Sequence, residues 1–147
     1  MNLDLVEMAG GALSRSSVER LQAEVSKLPQ YEPKTTHHFH GGMYCREVYR
    51  DAGVLVVGKV HRKEHFYLVV SGRVRVGRDE YGPGSLILSQ PGTKRAVLSL
   101  EPSVCMTFHR TDATTVEDAE RELVEDDPAS MFDSGNRLKA QPMELLS

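Results

Sequence analysis

Cysteine is scarce in this chain, with two among 147 residues. Cys45 and Cys105 sit at unrelated spacing inside apparent strands. Without a CxxC pair a zinc knuckle is excluded, and both residues are expected as buried free thiols. Long hydrophobic runs are also missing, so no segment reads as a membrane span. The opening MNLDLVEMAGG has neither a basic n-region nor a long apolar core, so a cytoplasmic setting is expected. An excess of positive charge is lacking too. The net charge is −3, which provides no global field for a nucleic-acid polymer or an anionic membrane. No G-x-S-x-G, P-loop or dinucleotide fingerprint occurs. What is present is an ordinary soluble composition, 39% hydrophobic and 27% charged, in a length suited to one domain with a real core.

Four regions follow from the patterning. Residues 1–30 read as a loose leader and a helix. The helix starts at a Ser16-x-x-Glu19 capping box, carries Val18, Leu21, Val25 and Leu28 on one face, and stops at Pro29. Residues 31–112 read as β structure. Their first part, Tyr31–Gly42, holds His37, His38 and His40 and is expected as a polar surface segment or a lid. If extended, it turns His38 and His40 to one side and His37 to the other. Strands are then expected at Met43–Tyr49, Val54–His61, His65–Ser71, Val74–Gly77, Leu86–Ser89, Arg95–Ser99 and Val104–His109. Gly, Pro and Asp punctuate them, and helices do not alternate with them. That pattern argues for an antiparallel sandwich or barrel. Residues 113–126 read as a second helix, capped at Thr114, with Val116, Ala119, Leu123 and Val124 on its apolar face. Residues 127–147 read as a flexible tail or an arm for a second subunit, with an apolar patch at 143–146.

The richest stretch runs from Gly53 to Gly72. Strand alternation places Leu55, Val57, Lys59 and His61 on one face. His65 opens the next strand with Tyr67, Val69 and Ser71 on its face. A tight link between the two strands would bring Lys59, His61 and His65 together.

These residues carry a resemblance to the cupin superfamily, the RmlC-like jelly rolls. The first cupin motif frames a His-x-His pair and a Glu between two glycines. Here the glycines are Gly53 and Gly72, while the ligand positions hold Lys59, His61 and His65. In the second motif Gly84 and Gly92 match, Gln90 stands for Pro, Arg95 for His and Ser99 for Asn. The chain also resembles small cupin-like proteins of bacteriophages and prophages. That likeness lies in His38-Phe39, Gly42-x-Tyr44-x-Arg46-Glu47, Gly58–His61 with Glu64-His65, Pro91–Arg95 and Thr107–His109. The resemblance implies an all-β antiparallel jelly-roll barrel with a helix at each end. It also implies a dimer or higher homo-oligomer, for which the helix faces offer interface material. For a phage-encoded protein the setting is the cytoplasm of a bacterial host.

The site has three readings. In the first, His61, His65 and His109 bind a divalent metal such as Zn, Fe, Ni or Mn, as in a metal-dependent hydrolase, isomerase or oxygenase. In the second, Lys59, His61, His65 and Arg95, with Arg46, Tyr67 and Lys94 in support, bind a small anionic, nucleotide-like ligand. Glu47 and Glu64 are then the internal counter-charges. The phage likeness would make such a ligand a host defence signal. In the third, Lys59 and Arg95 reach outward to Glu64 and Glu47, and the histidines are rim residues. Under either of the first two readings His61 or His65 could serve as general acid or base. The expectation adopted is the second, with the metal enzyme as its alternative.

Overall fold

The computed structural model describes residues 14–139. Nine strands follow one helix and precede another. They are α1 (Arg15–Val25), β1 (Lys34–His40), β2 (Met43–Arg50), β3 (Leu55–Val57), β4 (His65–Ser71), β5 (Val74–Val76), β6 (Asp79–Tyr81), β7 (Leu86–Ser89), β8 (Ala96–Ser99), β9 (Ser103–Arg110) and α2 (Val116–Leu123). They form two antiparallel sheets, one ordered β1-β2-β9-β4-β7 and the other β3-β8-β5-β6. The pairs β2–β9, β3–β8, β4–β7 and β5–β6 are nested one inside another. A long hairpin rolled up in this way is a jelly roll, and β1 extends one sheet by an added edge. The fold is therefore the expected all-β antiparallel barrel with two flanking helices.

Between the sheets, Val69, Val74, Val97 and Cys105 form the barrel core. Gly72 makes the β4–β5 turn with φ +77°, and a Cβ there would lie 2.2 Å from the Pro102 carbonyl oxygen. Only glycine fits both constraints. This explains one end of the Gly53–Gly72 frame.

Several sequence expectations are corrected. The tract 34–40 is a strand, because its alternation puts His37 and Phe39 half-inside while His38 and His40 face out. The expected strand Val54–His61 stops at Val57. Its continuation leaves the sheet, and residues 60–62 are held instead by backbone bonds to residues 123–125. The short strand β6 carries no apolar alternation and was missed. The first helix is capped by Ser14, whose box partner is Ser17, and the second by Thr115. Ser16 and Thr114 each lie off the position that can accept from the N3 backbone. Leu28 lies beyond α1 and is exposed. Of the two free cysteines Cys105 is buried, whereas Cys45 is only partly covered.

Both helices spend their apolar faces inside the chain. Val18, Leu21 and Val25 pack on Val57 and Ala96. Ala119, Leu123 and Val124 pack on Tyr44. Neither face is left to form an interface. The large exposed apolar side chains lie elsewhere. Phe66, Val70, Leu86 and Leu88 stand on the outer face of the five-stranded sheet.

Residues 127–139 pack on their own chain. They fold back as a strap with Ser130 and Phe132 buried. Asn136 donates to Thr35 Oγ1, and the Leu138 amide donates to Glu32. The leader up to residue 13 and the apolar patch at 143–146 lie outside the described residues. Among the described residues no helix is long and apolar enough to cross a membrane.

Candidate metal centre and its cavity

Three imidazoles meet at one end of the barrel. His65 opens β4, His109 lies near the end of β9, and His61 comes from the pinned segment after β3. The pairing Phe66↔Phe108 puts His65 and His109 on the next step of the same two antiparallel strands, both buried. His61 is brought over them by α2, since Arg62 N donates to the Leu123 carbonyl and Glu125 N to the Val60 carbonyl. One ligating nitrogen from each ring lies within 4.8 Å of the others. His61 Nδ1 and His109 Nε2 are 2.8 Å apart, one donating and one accepting. The ring centroids are 4.1–4.8 Å from one another.

Burial holds the three imidazoles neutral. The other histidines add repulsion: His61 is held down to about 2 and His109 to about 3. Burial also lowers His65. His65 Nδ1 lies 3.3 Å from the Lys63 carbonyl, to which it donates. That bond leaves Nε2 with its lone pair for a ligand, the usual backing of a metal-bound histidine.

The residue set fits a divalent ion. It offers three neutral nitrogen donors, and no fourth ligand is grouped with them among the described residues. Nitrogens around a tetrahedral ion stand roughly 3.4 Å apart, so on binding the 2.8 Å His61–His109 pair would open and the separations nearer 4.8 Å would close.

Beside the cluster lies a cavity of about 140 Å³. His61, His65, Tyr67, Lys59, Arg46 and Arg95 all line it. Lys94 does not. It is buried on the far side, 2.6 Å from Asp127, which also accepts from Gln22 of α1. Lys94 therefore fastens the strap to the first helix and leaves the ligand site.

The cations that do line the cavity are not equivalent. Lys59 Nζ and Arg46 Nη2 each lie 3.0 Å from an oxygen of Glu120. They also donate to the strap carbonyls of Asp133 and Ser134. Arg46 Nε donates to Tyr44 Oη at 2.8 Å, and that hydroxyl donates to His37 Nδ1 at 2.6 Å. Burial and the Arg46 charge hold His37 below its ordinary pKa, so it stays an acceptor. The result is one network joining β1, β2, α2, the strap and the Lys59 segment.

The expected counter-charges are elsewhere. Glu47 meets His38 at 3.3 Å on the outside, and Glu64 is exposed. An outward reach of Lys59 and Arg95 to these residues is thus overturned. Arg95 turns inward and donates to Ser89 Oγ.

Among the lining residues that sequence reasoning missed are Glu120 and Arg50. Glu120 could have been found one position after Ala119 and one turn after Val116, at the edge of the inward helix face. Arg50 could have been found from strand alternation, since it shares a face with Tyr44, Arg46 and Val48 on β2. Tyr67 stands next to Arg50. Burial pushes its phenol up to about 12, so it remains protonated and can donate.

Fold and site together define an antiparallel jelly roll with a three-imidazole cluster at the barrel mouth. No protein-family model and no curated protein matches the chain. Solved structures match parts of it. KdgF from Halomonas sp. matches at 18% identity and a TM-score of 0.47, over 56% of this chain and 82% of that one. The DMSP lyase DddQ from Ruegeria pomeroyi matches at 18% identity and a TM-score of 0.48, over 57% of this chain and 49% of the lyase. An RmlC-like cupin protein from Ralstonia eutropha matches at 16% identity and a TM-score of 0.42, over 48% of each chain. This chain thus spans about half the length of the latter two.

Proposed function

We propose that this protein is a metal-binding cupin that handles a small molecule in the barrel cavity, with His61, His65 and His109 holding the ion. The observation that carries this reading is the convergence of three neutral ring nitrogens within 4.8 Å beside a cavity. A divalent ion bound there would supply a Lewis acid or an activated water to a small-molecule reaction. The chain's own part is to orient the imidazoles and keep them unprotonated. Because His61 and His109 stay neutral near pH 7, each has a ring nitrogen lone pair to offer as a ligand and no imidazolium proton to give as a general acid.

The nucleotide reading is less well supported. Lys59 and Arg46 already share a carboxylate, and Lys94 is spent on Asp127. A cavity of about 140 Å³ is close to the roughly 150 Å³ space that accepts one benzene, well short of a nucleotide. A host signalling nucleotide would have to project beyond the strap.

The test is metal analysis of untagged protein, followed by zinc titration of chelator-treated protein near pH 7.5. One ion per chain is expected, with at least tenfold weaker binding in His61→Ala. A protein that takes up no zinc, manganese, nickel or ferrous ion overturns the proposal.

A further inference from the structure

The cavity contains a cation for which the described residues offer no counter-charge. Arg50 lies at the end of β2, is 8% exposed, and turns its side chain into the barrel. Its Nη1 meets Tyr67 Oη at a long 3.4 Å, and it also interacts with the Cys105 thiol. Its buried Nε has no hydrogen-bond partner among the described residues. No carboxylate pairs with it among the described residues. Nearly every buried arginine in a folded protein is paired, because an uncompensated buried charge costs several kcal/mol.

Arg95 adds to the imbalance. It lines the same cavity, bonds to Ser89, and has no acidic partner among the described residues. The cavity wall holds four cations, Arg46, Arg50, Lys59 and Arg95, against two carboxylates, Glu120 and Asp133. Glu120 satisfies Arg46 and Lys59. The Asp133 carboxylate accepts from the amides of Gly135 and Arg137 in its own turn. Arg50 and Arg95 are left over.

We infer that Arg50, Arg95 and Tyr67 form a subsite for a small organic carboxylate lying next to the three-histidine cluster. The guanidinium fork of Arg50 matches a carboxylate, and the Tyr67 hydroxyl can donate alongside it. Tyr67 stands one inward position along β4 from His65, roughly 7 Å of strand. A carboxylate on Arg50 therefore leaves the rest of a short molecule facing the histidines. Val48, Val57 and Val97 line the remaining wall and suit an organic body better than a fully charged ion such as phosphate. The volume limits that body to about the size of a benzene ring.

This inference rests on the metal reading only for the second end of the molecule. The carboxylate subsite stands without an ion. The experiment is calorimetric titration of acetate, malonate, 2-hydroxybutyrate and benzoate, with inorganic phosphate as a comparison. Each is titrated into chelator-treated and zinc-loaded protein. At least one carboxylate is expected to bind the metal-free protein more tightly than phosphate does. Arg50→Met should weaken it roughly ten- to a hundredfold, the loss of a charge-assisted bond. Its zinc stoichiometry should stay that of the wild type. Without ligand, Arg50→Met should melt at or above the wild-type temperature, because an unpartnered charge has been removed. Where Arg50→Met fails to fold, Arg95→Gln and Tyr67→Phe supply the same test, each with a severalfold loss of carboxylate affinity. Absence of carboxylate binding, tighter binding of phosphate, or unchanged affinity in the folded variants overturns the inference. Failure of zinc binding alone overturns the metal reading and leaves the carboxylate result intact.

Discussion

Lys59 Nζ lies 3.0 Å from Glu120 Oε1, so the cation standing at a cupin ligand position is neutralised from within the chain. The same carboxylate holds Arg46 through its other oxygen. All three side chains are less than one-fifth exposed. Glu120 thus links the strand bearing Arg46 to the segment bearing His61, and both to α2.

Glu120→Gln leaves two largely buried cations without their shared counter-charge. Loss of one partner from a buried pair costs about 3–5 kcal/mol, and the residual exposure here brings the expected figure to roughly 2–3 kcal/mol. The urea midpoint should fall accordingly. A midpoint within error of the wild type would mean that the Glu120 network adds nothing to stability.

Acid should destabilise the metal-free protein well above the carboxylate range. His61, His65 and His109 have folded-state pKa values below the unfolded value, near 6.5. Below pH 6.5 the unfolded chain binds protons that the folded chain refuses, so stability falls as pH falls. The loss continues toward the folded values, about 2 for His61 and about 3 for His109. Between pH 7 and 5.5 it should amount to roughly 1 kcal/mol for each of His61 and His109, with His65 adding in the same direction. Urea melts at the two pH values measure it, and His109→Asn should reduce the difference. An unchanged midpoint across that interval contradicts neutral burial of the cluster.

Phe132 is the buried anchor of the strap, at 5% exposure. Phe132→Ala should cost up to about 3 kcal/mol, the lower end for such a truncation, because only one side of the residue is barrel. The distinguishing readout is hydrogen exchange. The amides of Asp133, Leu138 and Lys139, which are bonded to Arg137, Glu32 and Met131, should lose protection while β2, β4 and β9 keep theirs. Uniform loss across the barrel would instead make the strap part of the global folding unit.

The pattern of the chain determined the architecture, because strand alternation and turn residues are local properties. Val69 and Val74 face the core, and Gly72 sits at positive φ, for reasons legible within a few residues. The apolar stripes of both helices were equally legible, and so was the grouping of His61 and His65 on either side of a tight link. What those stripes pack against was not. Val18 meets Ala96 and Leu123 meets Tyr44 only after the roll closes, so the expected interface faces are internal. The fate of each charge was likewise decided by tertiary structure. Lys94 and Arg95 are neighbours in sequence, yet one meets Asp127 and the other enters the cavity, since adjacent residues diverge as a strand begins. Glu120 lies 61 residues from Lys59 and 74 from Arg46, and no local rule couples them. The sequence alone thus determined a jelly roll with histidines near its mouth. Which cations are paired there, and that Arg50 is not, followed only from long-range packing, because electrostatic partners are set by distance in space and not along the chain.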